Sequence, residues 1–328
     1  MQQKGISVMG VSKAVQGDPS VAEALISGGI DTLADSRLEN IERMRRAGVA
    51  AKFVLLRSSP GQAAATVRLA DISLNTELIT LRELSRHAVE QQKQHRFVIM
   101  VELGDLREGV LPEDLVGFVQ STLGLPNIEL VGLGTNLACL RGAPPDNDNM
   151  RQLSELAGVV EGEIGSSLDI VSGGNSANIN WCQSTENMQR INSLRLGESI
   201  LLGRETLQSN ALDGLGQAAF QLVAEVIESN IKPSRPILNP CKNAFGEISE
   251  SAGVGNGARA IIALGRQDVN VDGLTSASDF EILGSSSDHT VLNTNGTRLN
   301  VGDEVRFDVD YGALLSAMSS RYVAKMYS

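Results

Sequence analysis

Short apolar runs alternate with longer amphipathic ones over the first two thirds of the chain. The runs at Ile6–Ser12, Thr32–Ala34, Ala51–Leu55, Ile72–Leu74, Phe97–Leu103, Ile128–Gly134, Leu168–Ser172 and Ser193–Leu196 read as strands. Between them, Ser20–Ser27, Leu38–Ala47, Glu77–Gln91, Pro112–Leu123 and Met150–Glu163 carry apolar residues at helical spacing. Phe97–Val101 is apolar almost throughout, as expected when helices cover both faces of a parallel sheet. Strands in this number, each followed by a helix or short loop, fit a closed (β/α)8 TIM barrel. An open doubly wound sheet fits the same periodicity, because alternation alone does not show closure.

A longer helical pattern at Leu212–Ile227 leads to Pro233, Pro236 and Pro240, a natural exit from the barrel. Beyond it the character changes. Ala258–Leu264, Ile282–Leu283, Thr290–Leu292, Glu304–Val309 and Tyr322–Met326 look like strands, with Gly265, Gly273, Gly284, Gly296 and Gly302 between them. The chain therefore divides into a barrel over 1–231 and a β-rich C-terminal domain over 232–328. The second is too small to hold the main site alone, but it can supply a wall to one.

A formal net charge of −11 argues against binding to nucleic acid or an anionic membrane, while leaving room for a local basic pocket. Cys139, Cys182 and Cys241 are widely separated and fit no metal-knuckle spacing. They suit a reducing, cytoplasmic compartment better than a disulfide scaffold. No apolar run has the length of a membrane span. Ile6–Val11 is too short for a signal core and leads straight into a lysine.

In a barrel the working residues gather at the C-terminal ends of the strands. Lys13 follows the buried run Ile6–Val11. It is either a solvated barrel-mouth lysine or one held in apolar surroundings, whose lowered pKa suits Schiff-base chemistry. Ser172–Gly173–Gly174–Asn175–Ser176 and Leu196–Gly197–Glu198–Ser199 follow neighbouring strands. Their successive amides, with the Ser176 hydroxyl, can form an anion nest of the kind expected near strands seven and eight. Arg195, near the end of the eighth strand, either makes a structural ion pair with a barrel acid such as Glu102 or faces a cofactor heteroatom. Arg107 is either a receptor for an amino-acid carboxylate or a loop arginine paired with Asp105 or Glu108. Asp35, Arg37 and Asn75 also lie at strand ends, as supporting groups. His87 and His95 read as surface residues. Asp288–His289 falls short of a three-ligand centre, so no metal site is expected.

The order of these segments resembles the alanine racemases, and most closely the related ornithine/broad-specificity amino-acid racemases. The resemblance runs through GVSKAVQGDP at Gly10–Pro19, ADSRLENI at Ala34–Ile41, MVELGDLREG at Met100–Gly109, VGLGTNLAC at Val131–Cys139, SGGNSANI at Ser172–Ile179 and LRLGESILLGRE at Leu194–Glu205. It continues through NAFGE at Asn243–Glu247, GRQDV at Gly265–Val269, SSDHT at Ser286–Thr290 and DYGALLSAMSSRYV at Asp310–Val323. It implies a barrel with a C-terminal β-domain, pyridoxal 5'-phosphate as cofactor, and a head-to-tail homodimer whose C-terminal domain completes the partner's site. Lys13 is then the Schiff-base lysine and one acid/base. Arg195 holds the pyridine nitrogen and keeps it unprotonated, which weakens the electron sink. Arg107 orients the substrate. Ser176 and the Gly197 and Glu198 amides take the phosphate, and Tyr311 contacts it from the β-domain.

Three departures from the alanine racemases matter. Their second base is the tyrosine of a Gly-Tyr-x-Asp motif, where this chain has Gly265–Arg266–Gln267–Asp268. An arginine, with a pKa above about 12, is no base. His289, with an ordinary pKa of about 6.5, is the substitute expected here, beside a structural reading of the same residue. The histidine expected after the sixth strand is replaced around Thr135 and Asn136, so Asn136 is expected to touch substrate. Both changes favour an ornithine-like or other non-alanine side chain. The resemblance also implies a helix and a strand ahead of the lysine strand, and without them the chain is expected to be poorly stable. Two other readings use the same residues: a pyridoxal-phosphate aldolase or decarboxylase, and a non-catalytic cofactor-binding protein.

Overall fold

The computed structural model describes residues 1–233, 242, 245–246 and 256–327. Cys241, Pro236, Pro240 and most of Asn243–Glu247 lie outside the described residues. The described chain divides into two compact units, Met1–Leu215 and Gly216–Ser328.

The first unit is a closed parallel barrel of β1 (Ser7–Val11), β2 (Thr32–Asp35), β3 (Lys52–Leu55), β4 (Ile72–Asn75), β5 (His95–Met100), β6 (Ile128–Gly134), β7 (Ile170–Ser172) and β8 (Ser193–Leu196). Closure comes from β1, which pairs with β2 on one side and β8 on the other, placing Met9 opposite Arg195. This excludes the open sheet. Alternate residues of the strands, among them Met9, Val11, Ala34, Val54, Ile72, Leu74, Val98 and Met100, form one apolar cluster that fills the barrel. The intervening residues, such as Leu33, Phe53, Phe97 and Ile99, pack against the helices outside.

Those helices are α1 (Pro19–Ser27), α2 (Leu38–Arg46), α3 (Ala63–Leu69), α4 (Leu78–Glu90), α5 (Leu115–Gln120), α6 (Asn147–Ile164), α7 (Ile179–Ser184) and α8 (Glu198–Leu202). Their ends are written locally. Asp18 caps α1 by accepting from the Ser20 and Val21 amides, with Pro19 in the first turn. Asp146 and Asn149 form a reciprocal capping box on α6. At the other end of the barrel, Lys4 Nζ donates to the carbonyls of Cys182, Gln183 and Thr185 at 2.7–2.9 Å, satisfying the C-terminal end of α7.

The second unit is an antiparallel sheet in the order β11-β14-β9-β10-β13-β12. The strands are β9 (Gln221–Pro233), β10 (Asn256–Ile262), β11 (Leu274–Ser276), β12 (Glu281–Ser285), β13 (Thr290–Asn293) and β14 (Glu304–Val309), followed by α9 (Tyr311–Ser319). The helix expected over Leu212–Ile227 is corrected to the strand β9. Its buried residues Leu222, Ala224 and Val226 recur with a period of two, and partners on both sides satisfy its backbone. Tyr322–Met326 is not a strand either, and Tyr322 and Met326 are exposed.

His95 also departs from expectation: it is buried. Ser73 Oγ accepts from Asn75 Nδ2 (2.9 Å) and lies 2.8 Å from His95 Nε2. Either group can donate in this contact, according to the tautomer of the imidazole. Burial pushes the pKa down to about 4, the Asp71 charge opposing and the Lys93 charge adding.

Candidate active site

The strand ends β1, β5, β6, β7 and β8 bring most of the expected residues to one mouth. Lys13 opens a short 3-10 turn directly after Ser12 at the end of β1. It is half-buried, and its ammonium has no hydrogen-bond or ion-pair partner among the described residues. The turn stands on a buried carboxylate. Asp35, at the end of β2, accepts from Ser12 Oγ (2.7 Å), the Arg37 amide (2.9 Å) and Asn40 Nδ2 (3.0 Å). Burial raises its pKa, against the pull of those donors. Arg37 itself is exposed. Asn75 is spent on Ser73 and Ser58.

Arg195 is 5% exposed. Its guanidinium donates to Ser172 Oγ (2.6 Å) and the Thr135 carbonyl (2.7 Å), both neutral. Burial lowers its pKa to about 10; Glu108 and Cys139 oppose the shift and Arg107 adds to it. The alternative ion pair with Glu102 is not formed, because that carboxylate accepts from the amides of Gly104, Leu106 and Arg107. A buried cation held only by neutral groups retains its pull on an electron-rich acceptor. Ser172 is the part of this arrangement that sequence reasoning did not single out.

The loops after β7 and β8 meet at Ser176. Ser176 Oγ accepts from the amides of Gly197 and Ser199 (3.2 Å each) and from Ser199 Oγ (3.0 Å). The Glu198 carboxylate accepts from Thr206 Oγ1 (2.9 Å). The loop before Ser176 is braced by Asn175, whose Nδ2 donates to the Leu137 carbonyl and to Asn136 Oδ1. Asn136 Nδ2 is buried and has no partner among the described residues, an orphaned donor beside the Thr135–Arg195 contact. An unsatisfied buried amide is costly unless a ligand meets it.

Arg107 is exposed and bonded to Glu108, as one sequence alternative had it. Its Nη2 lies 2.6 Å from Glu108 Oε1, and its Nε contacts Oε2 more closely still. Its Nε is also 3.9 Å from the buried Asp105 Oδ2. Asp105 Oδ1 accepts from the amides of Cys139, Leu140 and Arg141. Burial works to raise its pKa, but these amides and Arg107 outweigh it, so the carboxylate is held below its ordinary range. Asp105 thereby ties the loop after β5 to the loop after β6.

In the second unit, His289 is exposed, with Nδ1 2.9 Å from Asp288 Oδ1. Its turn is docked on the segment that diverges from the Gly-Tyr-x-Asp motif. The Arg266 amide donates to Ser286 O and the Gln267 amide to Ser287 O (3.0 Å each). A Cβ on Gly265 would lie 2.3 Å from the Asp288 amide nitrogen, so only glycine permits this approach. Tyr311 is the first residue of α9 and is half-buried. No group of three metal-binding side chains converges among the described residues.

The family pattern "Alanine racemase, N-terminal domain" matches residues 1–205, the stretch that carries Lys13, Arg107, Ser176 and Arg195. The chain belongs to the alanine racemase family. This family is one of pyridoxal-phosphate-dependent racemases, and the chain is an amino-acid isomerase of that class, working by abstraction of the α-proton from a small amino-acid substrate. It is 38% identical to an ornithine racemase of Acetoanaerobium sticklandii, over 96% of this chain and 90% of that protein. It is 35% identical to a lysine racemase of Thermotoga maritima, over 99% of this chain and 92% of that protein. Among solved structures, the alanine racemase from D-cycloserine-producing Streptomyces lavendulae superposes with a TM-score of 0.75 at 16% identity, over 95% of this chain and 88% of that one. D-threonine aldolase from Filomicrobium marinum gives 0.72 at 12% identity, over 97% and 82%. The fold thus serves more than one reaction, and the sequence relatives, not the fold, mark this member as a racemase.

Proposed function

We propose that this racemase interconverts the enantiomers of a free amino acid with a basic side chain, with Lys13 and His289 exchanging the α-proton on opposite faces. The observation that carries the cofactor assignment is Arg195: a buried guanidinium bound, among the described residues, only to Ser172 and Thr135, set opposite Met9 on the strand that leads to Lys13. Its remaining donor capacity fits the ring nitrogen of pyridoxal phosphate. Ser176 with the Gly197 and Glu198 amides fits the phosphate, and Tyr311 is assigned to it from the β-domain. When bound, the cofactor supplies the electron sink that makes an α-proton removable. The protein's part is orientation and proton transfer. Lys13 anchors the cofactor and takes or returns a proton at the α-carbon; Arg107 receives the α-carboxylate; Asn136 offers its unpaired amide to the bound ligand.

The basic side chain is inferred from relatives named as ornithine and lysine racemases. His289 is assigned as second base because its turn packs on Gly265–Gln267, where the alanine racemases carry theirs, and because the Asp288 contact orients its ring. A head-to-tail homodimer, in which each C-terminal domain completes the partner's site, and a cytoplasmic location belong to the same reading. No described helix is long and apolar enough to cross a membrane.

The test is incubation of the holoenzyme with single L-amino acids in deuterium oxide, following optical rotation and α-deuterium. Racemisation with solvent deuterium, fastest for ornithine or lysine, is expected. Full cofactor occupancy with no exchange on any amino acid would refute the reading. Lys13→Ala should end both activity and fixation of the cofactor by borohydride. His289→Ala should slow exchange from one enantiomer far more than from the other, and equal slowing would remove it as the second base.

A further inference from the structure

The loop after β5 carries three carboxylates, and two of them are committed to backbone. Glu102 accepts from the amides of Gly104, Leu106 and Arg107, and Asp105 from those of Cys139, Leu140 and Arg141. Glu108 is different. Its carboxylate bonds the Arg107 side chain through both oxygens.

Its position is also fixed. The chain returns to β5 immediately after it, through Val110 N to Met100 O (2.8 Å) and Glu102 N to Val110 O (3.0 Å). The residue at the return is Gly109, with φ +152°, and a Cβ there would lie 2.2 Å from the Glu102 nitrogen. Glu108 therefore stands one residue from a pinned point at the barrel mouth. Its charge is felt inside that mouth: among the charges acting on the buried Arg195, it is the foremost.

We propose that Glu108 is the specificity residue of the site and receives the distal ammonium of a dibasic amino acid. Binding is an exchange of ion pairs: the substrate's α-carboxylate replaces Glu108 on Arg107, and its side-chain ammonium replaces Arg107 on Glu108. The inference rests on the reading above that Arg107 takes the carboxylate and that the substrate is basic. It adds the residue that enforces the choice.

Charge counting favours the exchange. With Glu102 and Asp105 held by backbone amides, the resting loop has one side-chain pair left to exchange, Arg107 with Glu108. A dibasic substrate supplies one partner to each, whereas a neutral side chain releases Glu108 from Arg107 and offers it nothing. An acidic side chain would face it with like charge. The resting pair is also easily separated. The side chains of Arg107 and Glu108 are 38% and 35% exposed, a range in which ion pairs are weakly held and water covers the exchange.

The experiment compares wild-type and Glu108→Gln holoenzymes on L-lysine and on L-norleucine, which has the same carbon chain without the ammonium. Wild type should prefer L-lysine. The variant should lose about tenfold or more in kcat/KM for L-lysine, mostly through KM, as expected for a lost contact to a charged group. L-Norleucine should be unchanged or improved. Glu108→Asp should restore part of the preference, and cofactor absorbance with circular dichroism should show all three proteins folded and loaded. If both substrates fall alike in Glu108→Gln, or if its preference for L-lysine survives, the assignment of Glu108 is overturned while the basic-substrate reading stands. If wild type itself treats the two substrates equally, that reading falls, and Glu108 with it.

Discussion

The buried imidazole of His95 makes the stability of the barrel unit dependent on pH in a window the structure defines. In the unfolded chain His95 titrates at about 6.5. In the fold it is buried against Ser73 Oγ, and burial holds its pKa at about 4. The folded pKa is the lower one, so the neutral ring favours the fold. The contribution is fully present above pH 6.5 and is lost as pH falls from there through about 4. The gap corresponds to about 3 kcal/mol at the acid end, of which about 2 kcal/mol is already gone at pH 5. Against a typical total of about 5–15 kcal/mol, that is a large loss. Once charged, the ring can only donate from Nε2, to a Ser73 oxygen that already accepts from Asn75. Thermal or urea unfolding at pH 7.5 and pH 5, for wild type and His95→Gln, measures the effect. The variant should be less stable at pH 7.5 but lose about 2 kcal/mol less on acidification. An identical pH dependence in both proteins would show that His95 does not carry this term.

Three further outcomes are expected. Gly265→Ala drives a Cβ into the Asp288 backbone and should destabilise the second unit by about 1–3 kcal/mol, seen as a lower unfolding midpoint; no change would mean that the 286–289 turn moves freely. Asp105→Asn keeps an oxygen for the three loop amides but loses its charge and turns a buried donor toward Arg107 Nε, so KM for the amino acid should rise about tenfold and the melting temperature should fall. Ser176→Ala removes the oxygen on which the Gly197 and Ser199 donors converge, and should weaken pyridoxal-phosphate binding by about 1 kcal/mol in equilibrium dialysis; unaltered affinity would move the phosphate elsewhere.

Much of this arrangement was legible from sequence, and the remainder has physical causes. Strand ends are marked where an apolar run stops at a polar or glycine residue, so Lys13, Ser176, Arg195 and Gly197 could be placed at one mouth from position alone. Partnership was harder. Glu102 and Arg195 are both at that mouth, yet Glu102 serves the amides of its own loop, a short-range bond that outcompetes a distant ion pair. His95 sits after Gln92–Lys93–Gln94, which reads as surface, and its burial depends on Ser73, 22 residues earlier on the neighbouring strand. β9 reads as helix in sequence because Leu212 and the apolar residues after Leu222 fit a helical stripe when taken together; the period of two is clear only where Leu222, Ala224 and Val226 face one core. The roles proposed for His289 and Tyr311 depend on assembly, which the spacing of residues along one chain does not encode.

The seam between β1 and β8 has a consequence for how the enzyme comes into being. Lys13 stands near the start of the chain, and Arg195 follows some 180 residues later on the strand that pairs with it. Contacts separated so far in sequence are among the last to form, since chain entropy must be overcome before they contribute. Lys13 and Arg195, the residues proposed to anchor the cofactor and to face its ring nitrogen, therefore come to one mouth only when the barrel zips shut. Cofactor capture is in this sense a report on folding: a nascent or partly unfolded chain has the residues but not the site, and a protein that has taken up its cofactor has completed its barrel.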